Sequence, residues 1–176
     1  MEDLLNEIES GAELSPCGTY RYQLWRKWGR GPIAVFIMLN PSTADAHEDD
    51  PTIRRCIGFA RREGCGGLKV VNLYAYRATD PKELIYGGLH PPAHERTKNN
   101  SAISSALAMA KAHGSPVIAA WGAGVRGFEE EPYVVRGLAD RAGVPLMCLG
   151  TTNAGHPKHP LYLAADTPLV PLSEAA

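Results

Sequence analysis

Seven consecutive apolar residues, Ile33-Ala34-Val35-Phe36-Ile37-Met38-Leu39, constrain this chain more than any other feature. A strand with one wet face alternates apolar and polar side chains, whereas an unbroken run asks for burial on both faces, as at the centre of a parallel sheet covered by helices. Leu68-Lys69-Val70-Val71-Asn72-Leu73-Tyr74 repeats the theme, followed by Val117-Ile118-Ala119-Ala120-Trp121 and Val144-Pro145-Leu146-Met147-Cys148-Leu149. Helical signals separate these strands. Asp50-Pro51 reads as a cap with proline at the first position, Ile53, Cys56, Ile57 and Ala60 keep helical spacing, and Gly64 stops the helix. Two further helices are expected over about Thr97 to His113 and Tyr133 to Ala142. This alternation predicts an α/β fold, a three-layer sandwich around a central, mostly parallel four-stranded sheet. The alternating Tyr20 to Trp25 segment, with the Gly29-Arg30-Gly31-Pro32 turn behind it, predicts an N-terminal hairpin or edge strand. Residues 1–15 read as a short amphipathic helix or a loosely ordered segment, Gly87 to Pro92 as a long connection, and residues 164–176 as a tail.

At 176 residues the chain fits a single α/β domain over its whole length. Its net charge of −1 announces no polyanionic partner, so nucleic-acid binding would rest on a local patch. No apolar window reaches the roughly 18 residues of a membrane span. The acidic start, Met1-Glu2-Asp3, lacks the positive charge of a secretory signal, which makes the cytoplasm the expected compartment and a membrane partner unexpected. The four cysteines, Cys17, Cys56, Cys65 and Cys148, form no C-x-x-C pair and read as buried or half-buried free thiols. The phosphate-binding, dinucleotide-binding and nucleophile-elbow glycine motifs are absent, and no cofactor or resident metal is expected.

In a parallel sheet the loops leaving the carboxyl ends of the strands share one edge. Asn40-Pro41-Ser42-Thr43, Asn72 to Asp80, Trp121-Gly122 and Gly150 to His159 should therefore meet. Asn40 can orient a water or hold a carbonyl without bringing charge into a dry site, or simply make a turn before proline. Asn72 can read a donor–acceptor edge such as that of a nucleobase, or satisfy loop backbone. Pro41, Ser42 and Tyr74 are candidates to line a base pocket, and Thr43, Arg77 and Lys158 to touch phosphate. His159, in a loop stiffened by proline and glycine, can donate to a developing anion. The acidic run Asp45 to Asp50 reads as a solvated loop before a capped helix rather than a metal site.

The segments M-L-N-P-S-T-A-D, D-D-P-T-I-R-R-C, V-V-N-L-Y-A-Y-R-A-T-D-P, A-A-W-G and H-P-L-Y-L together resemble domain-of-unknown-function family 1643, from about Tyr20 to Leu163. More distantly, Met38-Leu39-Asn40-Pro41-Ser42 and His159-Pro160 are similar to motifs of the uracil-DNA glycosylase superfamily, with Ser42 where glycine is usual and Leu161 where serine is usual. That second resemblance implies a glycosylase-like sheet, with Asn40 positioning the hydrolytic water, Asn72 reading the base and His159 stabilising its departure.

The leading expectation is a DNA glycosylase-like hydrolase that cleaves the N-glycosidic bond of an unusual or modified base taken out of the stack. Its partner would be DNA, single-stranded or with a flipped base. The alternatives are an enzyme acting on free nucleosides or nucleotides, and a non-catalytic module binding a modified base or a protein. Oligomeric state is not legible.

Overall fold

The computed structural model describes residues 9–80, 82–84, 90–124 and 130–173. The expectations for residues 1–8, for residues 87–89 of the Gly87 to Pro92 connection and for the last three residues lie outside the described residues. The described residues form one mixed seven-stranded sheet in the order β1-β2-β4-β3-β5-β6-β7. The strands are β1 (Glu9–Leu14), β2 (Arg21–Lys27), β3 (Ile33–Met38), β4 (Gly67–Asn72), β5 (Val117–Ala119), β6 (Leu146–Cys148) and β7 (Val170–Pro171). The helices are α1 (Pro51–Arg62), α2 (Ala93–His113) and α3 (Glu130–Ala142).

At the centre β4, β3, β5 and β6 run parallel, as the continuous apolar runs require. Alternate residues of β3 feed two cores. Ala34, Phe36 and Met38 pack with Ile53, Cys56, Phe59 and Ala60 of α1, while Val35 and Ile37 pack with Ile103, Leu107, Val135 and Ala139 of α2 and α3. Every one of these side chains is nearly sealed from solvent.

Antiparallel strands extend this block on both sides, which corrects the expectation of a four-stranded sheet. The predicted N-terminal hairpin has different partners. β2 pairs with β1 on one side and with β4 on the other, not with β3, although the turn before Ile33 joins them in sequence. Glu9 to Leu14 is therefore strand rather than helix, and Gly11 admits the Trp25 ring, which a Cβ there would meet at 2.2 Å. Val170–Pro171 closes the far edge against β6. α1 begins as its sequence indicates, with the Asp50 side chain accepting from the Ile53 N–H and Pro51 in the first turn. Of the cysteines, Cys56, Cys65 and Cys148 are buried and free, whereas Cys17 is exposed, contrary to its expected burial.

Candidate functional site

Past its last paired residues the β3–β4 ladder continues into the loops. The Leu73 N–H donates to the Met38 carbonyl, Tyr74 to Leu39, and Ala78 to Pro41, each at 2.9 Å. Asn40 locks the same junction, its Nδ2 donating to the carbonyls of Ala78 at 2.8 Å and Pro41 at 3.0 Å. The amide group is thus oriented by its nitrogen, and its Oδ1 is the end left to accept from a ligand or water.

Beside this elbow lies a cavity of about 640 Å³, on the α1 side of the sheet at the carboxyl ends of the parallel strands. Asn40, Ser42, Thr43, Asn72 and His159 all line it, so the structure brings together five of the residues singled out in the sequence. Trp121 and Gly122 from the end of β5 join them, as does the first turn of α1.

Asn72 is the most deeply buried polar residue of this wall. It is 0% exposed, and neither its Nδ2 nor its Oδ1 has a hydrogen-bond partner. A buried amide left unsatisfied costs about 1–3 kcal/mol for each group, and native folds tolerate such a group chiefly where something else completes it. Asn72 presents one donor and one acceptor side by side, the pattern that matches the amide edge of a heterocyclic base.

His159 enters from the last loop. Its Nδ1 accepts from the Leu161 N–H at 3.3 Å, capping a short 3-10 turn over Pro160–Tyr162. The neutral ring consequently carries its proton on Nε2. Burial holds this imidazole below its ordinary pKa of 6.5, partly offset by the charge of Asp50. The loop can approach because residue 122 is glycine, with φ +76° and a would-be Cβ only 3.2 Å from the His159 Cβ. Tyr162 stands at the rim, 85% exposed, its ring centroid 6.3 Å from that of His159.

Other candidates lie elsewhere. Tyr74 is buried in the core on the α2 side, because the chain turns after Asn72 and presents it to the opposite face; it does not line the cavity. Pro41 is buried behind the elbow and contributes its carbonyl to Ala78. Arg77 donates from Nη1 to the Gly18 carbonyl at 3.1 Å and is not in the cavity wall. Lys158 is exposed beside Gly150. The acidic run folds onto Arg26, whose Nε donates to Asp49 at 2.9 Å and whose Nη2 donates to the Asp45 carbonyl at 2.6 Å. Among the described residues no three His, Cys, Asp or Glu side chains cluster in a way that would hold a metal.

Among the wall residues that the sequence did not single out as ligand contacts are Arg21, visible only as part of a strand, Asp50, visible as a helix cap at the end of the acidic run, and Tyr162. Arg21 is 2% exposed and lines the cavity, and burial pushes its guanidinium down to about 10, still protonated at neutral pH.

The family described as "Protein of unknown function (DUF1643)" matches the chain over residues 21–161. No curated protein and no solved structure matches it. No helix among the described residues is long and apolar enough to cross a membrane.

Proposed function

This chain belongs to the DUF1643 family, and we propose that it is a hydrolase of the N-glycosidic bond of an unusual or modified nucleobase, acting on DNA. The observation that carries the reading is Asn72, a fully buried amide with both polar atoms unpaired in the wall of a cavity large enough for a nucleoside. Neither atom touches solvent in this conformation, so a base entering edge first would satisfy both once the side chain turns toward the cavity.

The remaining wall residues suit the chemistry of that bond. Asn40 Oδ1 would accept from a water and direct its oxygen at the anomeric carbon as the carbon–nitrogen bond breaks. The electron pair of that bond leaves with the base. His159 Nε2–H and Asn72 Nδ2 would donate to the negative oxygen that results, and a neutral donor does so without first losing a proton. The water then gives its hydroxyl to the sugar and its proton to the departing base. Tyr162, exposed at the rim, offers a ring face to a neighbouring base. The likeness to the uracil-DNA glycosylase superfamily rests on the motifs themselves, Asn40-Pro41 in the loop after β3 and His159-Pro160 in the loop after β6.

A second reading, a nucleoside- or nucleotide-processing enzyme, draws support from the overall charge of −1. The test is a panel of single-stranded and duplex oligonucleotides carrying uracil, deaminated and hypermodified bases, scored for abasic sites. Cleavage of one of them, reduced about a hundredfold or more by Asn40→Ala, is the expected result. Intact oligonucleotides alongside cleaved free nucleosides would select the second reading. Tight binding with no product in either arm would identify a non-catalytic base-binding module.

A further inference from the structure

Arg21 is a buried cation, 2% exposed, that makes no direct ion pair among the described residues. Nη1 donates to the Ala44 carbonyl at 2.5 Å, while the buried Nε–H has no partner. A guanidinium taken out of water normally finds a carboxylate or phosphate that occupies its fork.

Its place in the cavity wall is built by an irregularity in the sheet. The register of β1 on β2 runs Glu13 to Gln23 and then Leu14 to Arg21, so Tyr22 is an extra residue, a β-bulge. Tyr22 turns toward α2, where its hydroxyl donates to Glu95 and its ring packs near Ala102. The slip carries Arg21 to the opposite side, that of Leu24 and α1. Strict alternation would have sent Arg21 away from the cavity with Gln23. Bulges re-aim side chains in this way beside functional sites.

Charges of both signs act on Arg21. Arg77 lies near enough to repel the Arg21 charge, and the first turn of α1 lines the same wall. The acidic groups acting on Arg21 are Asp50 and Asp45. Asp50 lines the same wall and is the stronger of the two; its Oδ1 accepts from the Ile53 N–H, Asp45 Oδ1 accepts from the amides of His47 and Glu48, and neither carboxylate pairs directly with the guanidinium.

We infer that Arg21 recognises an anionic oxygen group of the ligand, a carboxylate or a phosphate, beside the amide edge that Asn72 reads. The inference rests on the reading of this cavity as a base pocket. It narrows the substrate to a base bearing an acidic substituent, or to a nucleotide whose own phosphate reaches Arg21.

Calorimetric titration of the intact chain with two matched pairs tests this: uracil against 5-carboxyuracil, and deoxyuridine against deoxyuridine monophosphate. The expected result is that the charged member of one pair binds at least about tenfold more tightly than its neutral partner, as a charge-assisted hydrogen bond provides. The pair that shows the preference identifies the source of the anion. Arg21→Gln should erase the preference, and Arg21→Lys should keep part of it. The inference is overturned if neither charged probe outbinds its neutral partner in the wild-type chain, a comparison that needs no variant to fold, or if the preference survives Arg21→Gln. An anion preference without glycosidic cleavage would sink the hydrolase reading and leave Arg21 in its role; cleavage of neutral-base oligonucleotides without an anion preference would do the reverse.

Discussion

His159 is useful to the proposed chemistry because it is neutral and still a donor. The Leu161 N–H occupies Nδ1 and so directs the proton to Nε2, while burial disfavours the charged ring. The same burial ties stability to pH. An unfolded histidine protonates near 6.5, whereas the folded one does so only at lower pH, so between these values the unfolded chain binds more protons. The stabilisation is fully present above pH 6.5 and is lost as pH falls through the folded-state value. Urea midpoints should therefore decline below pH 6.5 in the wild type and decline less in His159→Gln; parallel curves for the two proteins would contradict the assignment. Residue by residue, Asn40, Ser42, Thr43, Asn72 and His159 were legible because strand ends of a parallel sheet must share an edge. Tyr74 was misplaced because two residues beyond a strand end suffice to carry a side chain to the other face. Arg21 was hidden because its direction depends on the Tyr22 bulge, which an alternating pattern from Tyr20 to Trp25 cannot reveal.

Between elements, the end of β4 is held by α2 rather than by its own side chains. Asn99, 4% exposed on α2, donates from Nδ2 to the carbonyls of Asn72 and Leu73 at 3.0 and 3.1 Å. The Asn72 side chain is thus fixed in place by backbone anchorage while making no hydrogen bond itself. Two neighbouring asparagines should behave in opposite ways. Asn99→Ala strands two buried carbonyls and should cost about 1–3 kcal/mol. Asn72→Ala removes an unsatisfied amide, so that relief offsets the lost packing and the variant should be no less stable than the wild type, yet it should abolish stabilisation by any nucleobase that binds the wild type. Urea denaturation with and without ligand checks both; a large loss of stability in Asn72→Ala would mean that its amide is satisfied within the protein. The elements themselves differ in legibility for physical reasons. α1 carries its own start signal in Asp50-Pro51 and its own stop at Gly64, whose φ is +73°. β1 has no β-branched residue and is a strand because β2 offers it an unpaired edge, with Gly11 leaving room for Trp25. Two-residue β7 is too short to show any period.

For the whole molecule, the question is how a chain with net charge −1 would hold a polyanion. Among the described residues, the arginines near the cavity are largely occupied. Arg55 donates to the Leu163 carbonyl, Arg77 to Gly18, and Arg26 to the acidic loop. Under the proposed reading Lys158, exposed beside Gly150 and next in sequence to His159, is the phosphate contact outside the cavity. Each phosphate neutralised on a single strand contributes about −0.7 to the slope of log affinity against log salt, and about −0.9 on a duplex. With one or two such contacts, an oligonucleotide bearing the preferred base should show a slope of only about −1 to −2, with most of its affinity coming from the base. Lys158→Ala should flatten that slope by about one contact while leaving binding of the free base unchanged. Fluorescence anisotropy over a salt series measures this directly. A slope steeper than about −4 would require a phosphate-binding surface away from the cavity mouth. A slope of zero for a nucleotide that still binds would place the whole of recognition inside the pocket, where Arg21 and Asn72 are shielded from salt by burial.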